Sequence, residues 1–379
     1  MAKIAFLDLS FHVKTKSTNF FYDLLATRHD VDTYYLGNDA VSQAKDIASV
    51  GYDIIVCFQT DNLVPYFIAT GHRVICIPMF DGSGSMSDYY WKFMKQARFV
   101  NFSRTLHDRL KRIGMDSMYA QYYLDPSRFT PVEDYSSRRF FFWQRRPEHG
   151  LDTKFASKFM MIGDSIHFHN APDVLSAGDW EPAFGTCSYF NEQNANAYSE
   201  ALSKSNIFIC PRSCEGIGMS MLEALARGMC VIGNDFVTAN EYIQNDVDGI
   251  LVNYADPKFD TLTPTRMQFL GENARTRAIK GYDKWLKIKE DLLFYIETTP
   301  RPRISKVSAK TLNEFLINFK NFSDGRETYR KNLRKFSGLQ QKLSINDDES
   351  SLGKINHWLR RYWLWRRFQS LTKSIYRIF

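Results

Sequence analysis

CEGIGMSMLEALARGMCVI, residues 214–232, decides how the rest of this sequence is read. Glu215 and Glu223 stand eight positions apart around a Gly-x-Gly, and the run ends in an apolar segment. Upstream, NIFICP (206–211) is short and apolar and ends in Pro, which makes it a strand. RSCEGIG is then a loop, MSMLEALAR a helix stopped by Gly228, and CVIG the next strand. A Gly-rich loop between strand and helix aims backbone N–H groups at an anion. Gly216 and Gly218 let the backbone approach closely, so the N–H groups around Gly218, Met219 and Ser220 can cradle a diphosphate. Glu223, early in the helix, can accept hydrogen bonds from sugar hydroxyls. An acid there is also favoured by about 0.3–1 kcal/mol through the helix dipole alone. Glu215, in the loop, has no helix to explain it; taken singly, a loop acid flanked by Gly is a solvated one.

The alternation of strand and helix continues on both sides. KIAFLDL, DVDTYYL, YDIIVCF, HRVICIPM and ARFVNFS read as strands in the first 130 residues, with TNFFYDLLATRH and LHDRLKRIG as helices between them. The polar, proline-bearing DPSRFTPVEDYSSRR (125–139) reads as a crossover. A second series follows: RRFFFWQ, FMMIGDS, EPAFGTC, NIFICPR, CVIGND and GILVNY, with AYSEALSKS and MSMLEALAR among them. The expected fold class is α/β, with two Rossmann-like, doubly wound domains facing a cleft, at 1–130 and 131–295. A long helix begins near MQFLGENARTRAIKGYDKWLKIKEDLLFYI. A helical extension (296–341), a polar linker (342–353) and a tail (354–379) complete the chain.

Composition narrows the classes. With 379 residues, 44% hydrophobic and 15% aromatic, the sequence is globular. No run of 18 uncharged apolar residues occurs, and MAKIAFLDLS is too short an apolar stretch for a signal peptide, so a cytoplasmic protein is expected. The six cysteines form no CxxC pair and read as buried thiols. His167 and His169 in IHFH lack a third ligand at a usual spacing. The net charge of +7 equals the seven basic residues of 351–379, a stretch without acids; the remaining body balances 42 against 42. That distribution argues against a nucleic-acid surface.

Residues 215–232 resemble the signature of the retaining GT-B glycosyltransferases of family four, the glycosyl transferases group 1. That pattern reads E-G-F-G-x-x-x-L-E-A-x-A-x-G-x-P-V-I, and most of the eighteen positions agree. ALSKSNIFICP resembles the family's "l..adifv.pS" approach, NEYIQNDVDGILV its "pE.i.dg..G.lv" continuation, and YYLDPSRFTP the end of its N-terminal domain. The resemblance implies that Glu215 contacts the donor sugar, that Glu223 binds the ribose and that the Gly218–Met219 backbone holds the diphosphate. It places Glu241 near the nucleotide.

Three departures stand out. The family's G-R-x4-K-G loop is WQRRPEHG here, so Arg145 or Arg146 supplies the Arg while the Lys position falls on His149, with the spacing one residue shorter. The glycine-rich loop after the first strand is replaced by SFHVKTKSTNF. Its Lys14, Lys16 and Ser17 can bind a phosphate or an acidic acceptor, or be a solvated loop with a Ser/Thr helix cap. In PMFDGSGSMSD, Asp81 keeps the acid of a His-Asp pair whose His has become Phe80; Asp81 can orient an acceptor hydroxyl.

The implied reaction is retaining transfer of a sugar from a nucleotide-diphosphate donor to an acceptor hydroxyl. The helix amides and Arg145 or Arg146 stabilise the departing diphosphate, so neither cofactor nor metal is expected. In the tail, Trp358, Arg360, Arg361, Trp363, Trp365, Arg366 and Arg367 combine aromatic and basic character, as in a helix lying at an anionic membrane surface. The other reading docks that helix on protein. A membrane-held enzyme at the inner face of the cell membrane fits a lipid-linked or growing surface glycan, of O-antigen or capsule type, as acceptor. The alternative is a catalytically idle GT-B scaffold in a glycan-assembly complex.

Overall fold

The computed structural model describes residues 1–37, 40–173, 182, 184–189 and 196–303, with a few helical positions between 309 and 316. Twelve strands appear among them: β1 (Lys3–Leu9), β2 (Asp30–Leu36), β3 (Ile54–Phe58), β4 (Arg73–Ile77), β5 (Arg98–Asn101), β6 (Asp116–Tyr119), β7 (Arg139–Trp143), β8 (Ser165–Asn170), β9 (Thr186–Tyr189), β10 (Ile207–Ile209), β11 (Cys230–Asn234) and β12 (Ile250–Val252). They form two six-stranded sheets, ordered β2-β1-β3-β4-β5-β6 and β12-β11-β10-β7-β8-β9. The strand pairs run parallel, as in β1 with β3 and β7 with β10. Central strands such as IIVCF of β3 are buried along their whole length, the mark of a sheet covered on both faces. The expected α/β class, with two doubly wound sheets, is what folds.

The chain divides into two compact units. Of the described residues, one unit holds those in 1–76 and 93–98 and those from 299 to 303; the other holds those in 77–92 and 99–298. The first has a core of Phe6, Phe21, Phe58 and Phe67. In the second, Phe140–Phe142 of β7 lie in register with Ile207–Ile209 of β10, all fully buried. The second sheet starts at β7, runs outward through β8 and β9, then returns to β10 on the other side of β7. Its strand order therefore reverses between β7 and β10. Loops leaving the carboxyl ends of these two strands meet at that switch point, where such sheets hold ligands.

The expected strand at FMMIGDS does not form. Gly163 takes a positive φ of 92°, Asp164 accepts a hydrogen bond from the Met161 amide, and Met161 and Ile162 are exposed. The strand begins only at Ser165, as SIHFHN, with Ile166, Phe168 and His169 buried. The short β6, DSMY, carries no apolar run and is not predicted by the sequence pattern. The long helix spans Pro264–Glu297, capped by the Thr263 hydroxyl with Pro264 at its first position. Among the described residues, no helix is long and apolar enough to cross a membrane. The tail residues Trp358, Arg360, Arg361, Trp363, Trp365, Arg366 and Arg367 lie outside the described residues, as does nearly all of the helical extension.

Candidate active site

Pro211 ends β10, and the loop that follows is pinned from two sides. Asn234 Nδ2 donates to the Ser213 carbonyl at 2.9 Å, and the Thr238 hydroxyl donates to the Glu215 carbonyl. Gly216 passes so close to 79–81 that a Cβ there would lie 2.9 Å from Met79 Sδ and 3.1 Å from Asp81 Oδ1. Gly218, at φ 81°, makes the left-handed turn that starts the helix Met219–Arg227. The cap position is Gly218, which has no side chain to bond the first-turn N–H groups, and such a helix start is a natural seat for an anion. Arg212, Glu215, Ser220 and Met221 line one small pocket at this helix start.

Charge is dense around the pocket. Arg212 Nη1 lies 3.0 Å from Glu215 Oε2, and its Nη2 lies 2.9 Å from Asp81 Oδ2. From the loop after β7, Arg145 Nη1 approaches Glu215 Oε1 at 3.5 Å, an ion-pair distance; that oxygen is buried and has no hydrogen bond. Arg145 Nε is 2.7 Å from Asp173 Oδ1, and Arg146 Nε is 2.8 Å from Asp173 Oδ2, so one carboxylate bridges neighbouring guanidiniums. Arg145 also lies over the Trp143 ring, 4.9 Å from its centroid.

The Glu215 side chain is only 14% exposed. Burial pushes its carboxyl above the ordinary value; Arg212 and then Arg145 oppose this, while Asp81 and Asp173 add to it. For Arg212, burial works against the charge, but Glu215, Asp81 and Asp173 together hold its pKa above the usual arginine value. The result is a chain of alternating charge: Asp81, Arg212, Glu215, Arg145, Asp173, Arg146. An anion at the helix start meets cations already in place, at a point where two parallel strands diverge.

Residues 185–258 match the family model described as glycosyl transferases group 1. That segment is similar to the group 1 glycosyltransferases, and the fold of the chain is GT-B. The fold is shared with solved structures of low identity. The sucrose-phosphate synthase from Thermosynechococcus elongatus has a TM-score of 0.57 at 12% identity, covering 78% of this chain and 98% of that one. HepE from Anabaena in complex with UDP-glucose has a TM-score of 0.55 at 11% identity, covering 79% and 100%. The lipopolysaccharide outer core galactosyltransferase WaaB has a TM-score of 0.52 at 11% identity, covering 78% and 99%. Among curated proteins, none matches the sequence.

The structure brings together Glu215, Asp81, Arg145, Arg146, Gly216, Gly218, Met219 and Ser220. Other residues singled out by the motif are engaged elsewhere. Glu223 Oε1 takes both Nε (3.0 Å) and Nη2 (2.8 Å) of Arg227, one helical turn on. His149, on the turn Pro147–His149, is 62% exposed and lies 3.8 Å from Glu148. Glu241, expected near the nucleotide, meets the start of the helix Arg104–Arg112. Its carboxylate accepts from the amides of Arg104 and Thr105 and from the hydroxyls of Ser103 and Thr105, at 2.6 to 3.0 Å. Three of these four bonds fall on Oε1 and one on Oε2.

Lys14, Lys16 and Ser17 belong to the first unit. Lys14 sits in the short helix His12–Thr15, Lys16 follows it with φ 49°, and the Ser17 hydroxyl bonds that of Thr15 at 3.1 Å. Both lysines are exposed.

Two residues that the sequence reading did not single out are central: Arg212 and Asp173. Arg212 follows Pro211 where the resembling pattern has Ser, a departure visible in the sequence. Asp173 carried no such signal. Asp-x-Asp triplets occur at Asp30–Asp32 and Asp246–Asp248, and three of their four carboxylates are paired within the protein. Asp32 pairs with Lys3 and Tyr52, Asp246 with Arg266, and Asp248 with Arg277 and the Gln244 amide. Among the described residues, no group of three His, Cys, Asp or Glu is placed to hold a metal ion.

Proposed function

We propose that this glycosyltransferase moves a sugar from a nucleoside-diphosphate sugar to an acceptor hydroxyl with retention of configuration. The observation that carries this is Glu215, held between Arg212 and Arg145 at the mouth of a helix whose cap position is Gly218. The diphosphate takes the helix N-terminus, where amides and guanidiniums stabilise the charge that develops as the leaving group departs. Glu215 accepts hydrogen bonds from donor-sugar hydroxyls, and Glu223 takes the ribose, exchanging part of its pairing with Arg227. Asp81 orients the acceptor hydroxyl. The positive groups are the protein's own, so the transfer runs without a metal. A nucleotide-sugar donor is supported by HepE, whose solved complexes hold UDP and UDP-glucose. The acceptor is a lipid-linked or growing surface glycan, met by a peripheral enzyme whose basic, aromatic tail rests on the inner face of the cell membrane.

A second reading, an idle scaffold, is favoured by one observation: Arg145, Arg146 and Arg212 are all already matched by carboxylates. Calorimetry with UDP, GDP, TDP and CMP separates the two. The donor reading expects one nucleotide to bind, and to bind about tenfold more weakly in Glu223→Ala, a loss of about 1.4 kcal/mol. Absence of binding by the folded wild type would leave the scaffold.

A further inference from the structure

We propose that Arg212 is the positioning residue of this site: one amino group holds Glu215, the other holds Asp81, and the guanidinium fixes the two carboxylates side by side at the helix start. This deepens the donor-site reading and rests on it for its consequence in transfer.

The geometry is specific to arginine. Nη1 and Nη2 reach different carboxylates at 3.0 and 2.9 Å, from a side chain 18% exposed. A lysine has one nitrogen and cannot span both in this fixed plane. Asp81 belongs to the short helix Phe80–Ser83 and Glu215 to the loop after β10, so Arg212 ties two separate elements. Those elements also touch where Gly216 has no side chain to spare. The resemblance would give the second cation to position 149, yet His149 is solvent-exposed and beside Glu148. Arg212 is the cation closest to Glu215, and it lines the same pocket as Ser220 of the helix's first turn.

Without Arg212, Asp81, Glu215 and Asp173 would have only Arg145 and Arg146 to balance them. The groups facing Glu215 are Arg212 on its own loop, Arg145 after β7, Asp173 after β8 and Asp81 on the short helix. The neighbouring Cys214 thiol is pushed up to about 12, chiefly by burial, and stays neutral. Arg212 is the strongest of the influences that hold the Glu215 carboxyl down. Removing it moves the carboxyl toward protonation, turning a hydrogen-bond acceptor into a donor. Removing Asp81 has the opposite sign.

The test is a carboxyl titration of the full chain by carbon-13 NMR, with the Glu215 signal identified by its loss in Glu215→Gln, alongside UDP-glucose binding. Arg212→Gln is expected to move the Glu215 midpoint to higher pH, and Asp81→Asn to move it lower. Arg212→Lys is expected to recover part of the first shift. UDP-glucose turnover in Arg212→Gln is expected to fall about 100-fold, mostly in kcat, as for loss of one positioned electrostatic group. A Glu215 midpoint that stays put in both Arg212→Gln and Asp81→Asn overturns the proposal. Should Arg212→Gln fail to fold, Asp81→Asn tests the same bridge from its other end. If the midpoints move as expected while wild type ignores UDP-glucose, the bridge stands and the choice of donor falls.

Discussion

After β1 the chain leaves the first sheet through Asp8, His12 and Thr18; after β10 it leaves the second through Arg212, Glu215 and Gly218. Both are strand–loop–helix turns, and both carry an acid. In the first, Asp8 is fully buried, with Oδ1 2.5 Å from His12 Nδ1 and Oδ2 accepting the Thr18 hydroxyl at 2.6 Å. The Leu9 amide adds a third bond at 2.7 Å. Every partner is local, and the acid is sealed. In the second, Glu215 keeps an edge to solvent, pairs with Arg212 of its own loop and with Arg145 from the loop after β7, and one of its oxygens has no hydrogen bond. A satisfied, enclosed acid holds a loop in shape, whereas an acid left partly unsatisfied beside two guanidiniums has capacity for something from outside.

Substitution puts this contrast at risk most directly at the two acids. Glu215→Gln is expected to lower transfer by about 100- to 1000-fold with little change in melting temperature, checked by steady-state kinetics and calorimetry. Asp8→Ala should do the reverse. Leaving His12 and Thr18 without their buried partner costs about 3 kcal/mol of stability, read from denaturant unfolding. If Asp8→Ala instead spared stability and removed activity, the two loops would not differ in kind.

Gly216→Ala sharpens the comparison by steric means. The added methyl must displace Met79 or Asp81, so a loss of about 1–3 kcal/mol is expected, with transfer reduced more than unfolding alone explains.

The smallest effect concerns the second sheet itself. Burial, then the nearby His167, lowers the His169 pKa to about 4. The unfolded chain takes up a proton near pH 6.5 and the folded chain only near 4, so stability is lost as pH falls through that window. The loss grows as the pH falls toward 4, and His169→Gln should flatten the slope.

How much of this was legible depends on range along the chain. IIVCF and RVICI announce buried strands because every position is apolar, and MSMLEALAR announces a helix because Gly228 stops it. SIHFHN hid because His167 and His169 break the apolar run, although they bond Thr186 and Ser188 across to β9. Glu215 and the glycines were legible from a contiguous motif. The bridges through Arg212 and Asp173 were not, because they join residues more than a hundred positions apart (Asp81 with Arg212) or on different strand exits. The contacts of Glu241 were hidden for the same reason: nothing near it in sequence shows that a helix begun at Ser103 bonds its carboxylate.

Gly216 and Met79 fill what is in effect one shared volume, since the side chain that position 216 lacks would stand 2.9 Å from the Met79 sulfur. Evolution can therefore trade between the two positions but not change either alone. In a set of related sequences, a residue larger than glycine at 216 should appear with a smaller one at 79, and a laboratory search for suppressors of Gly216→Ala should return position 79 first.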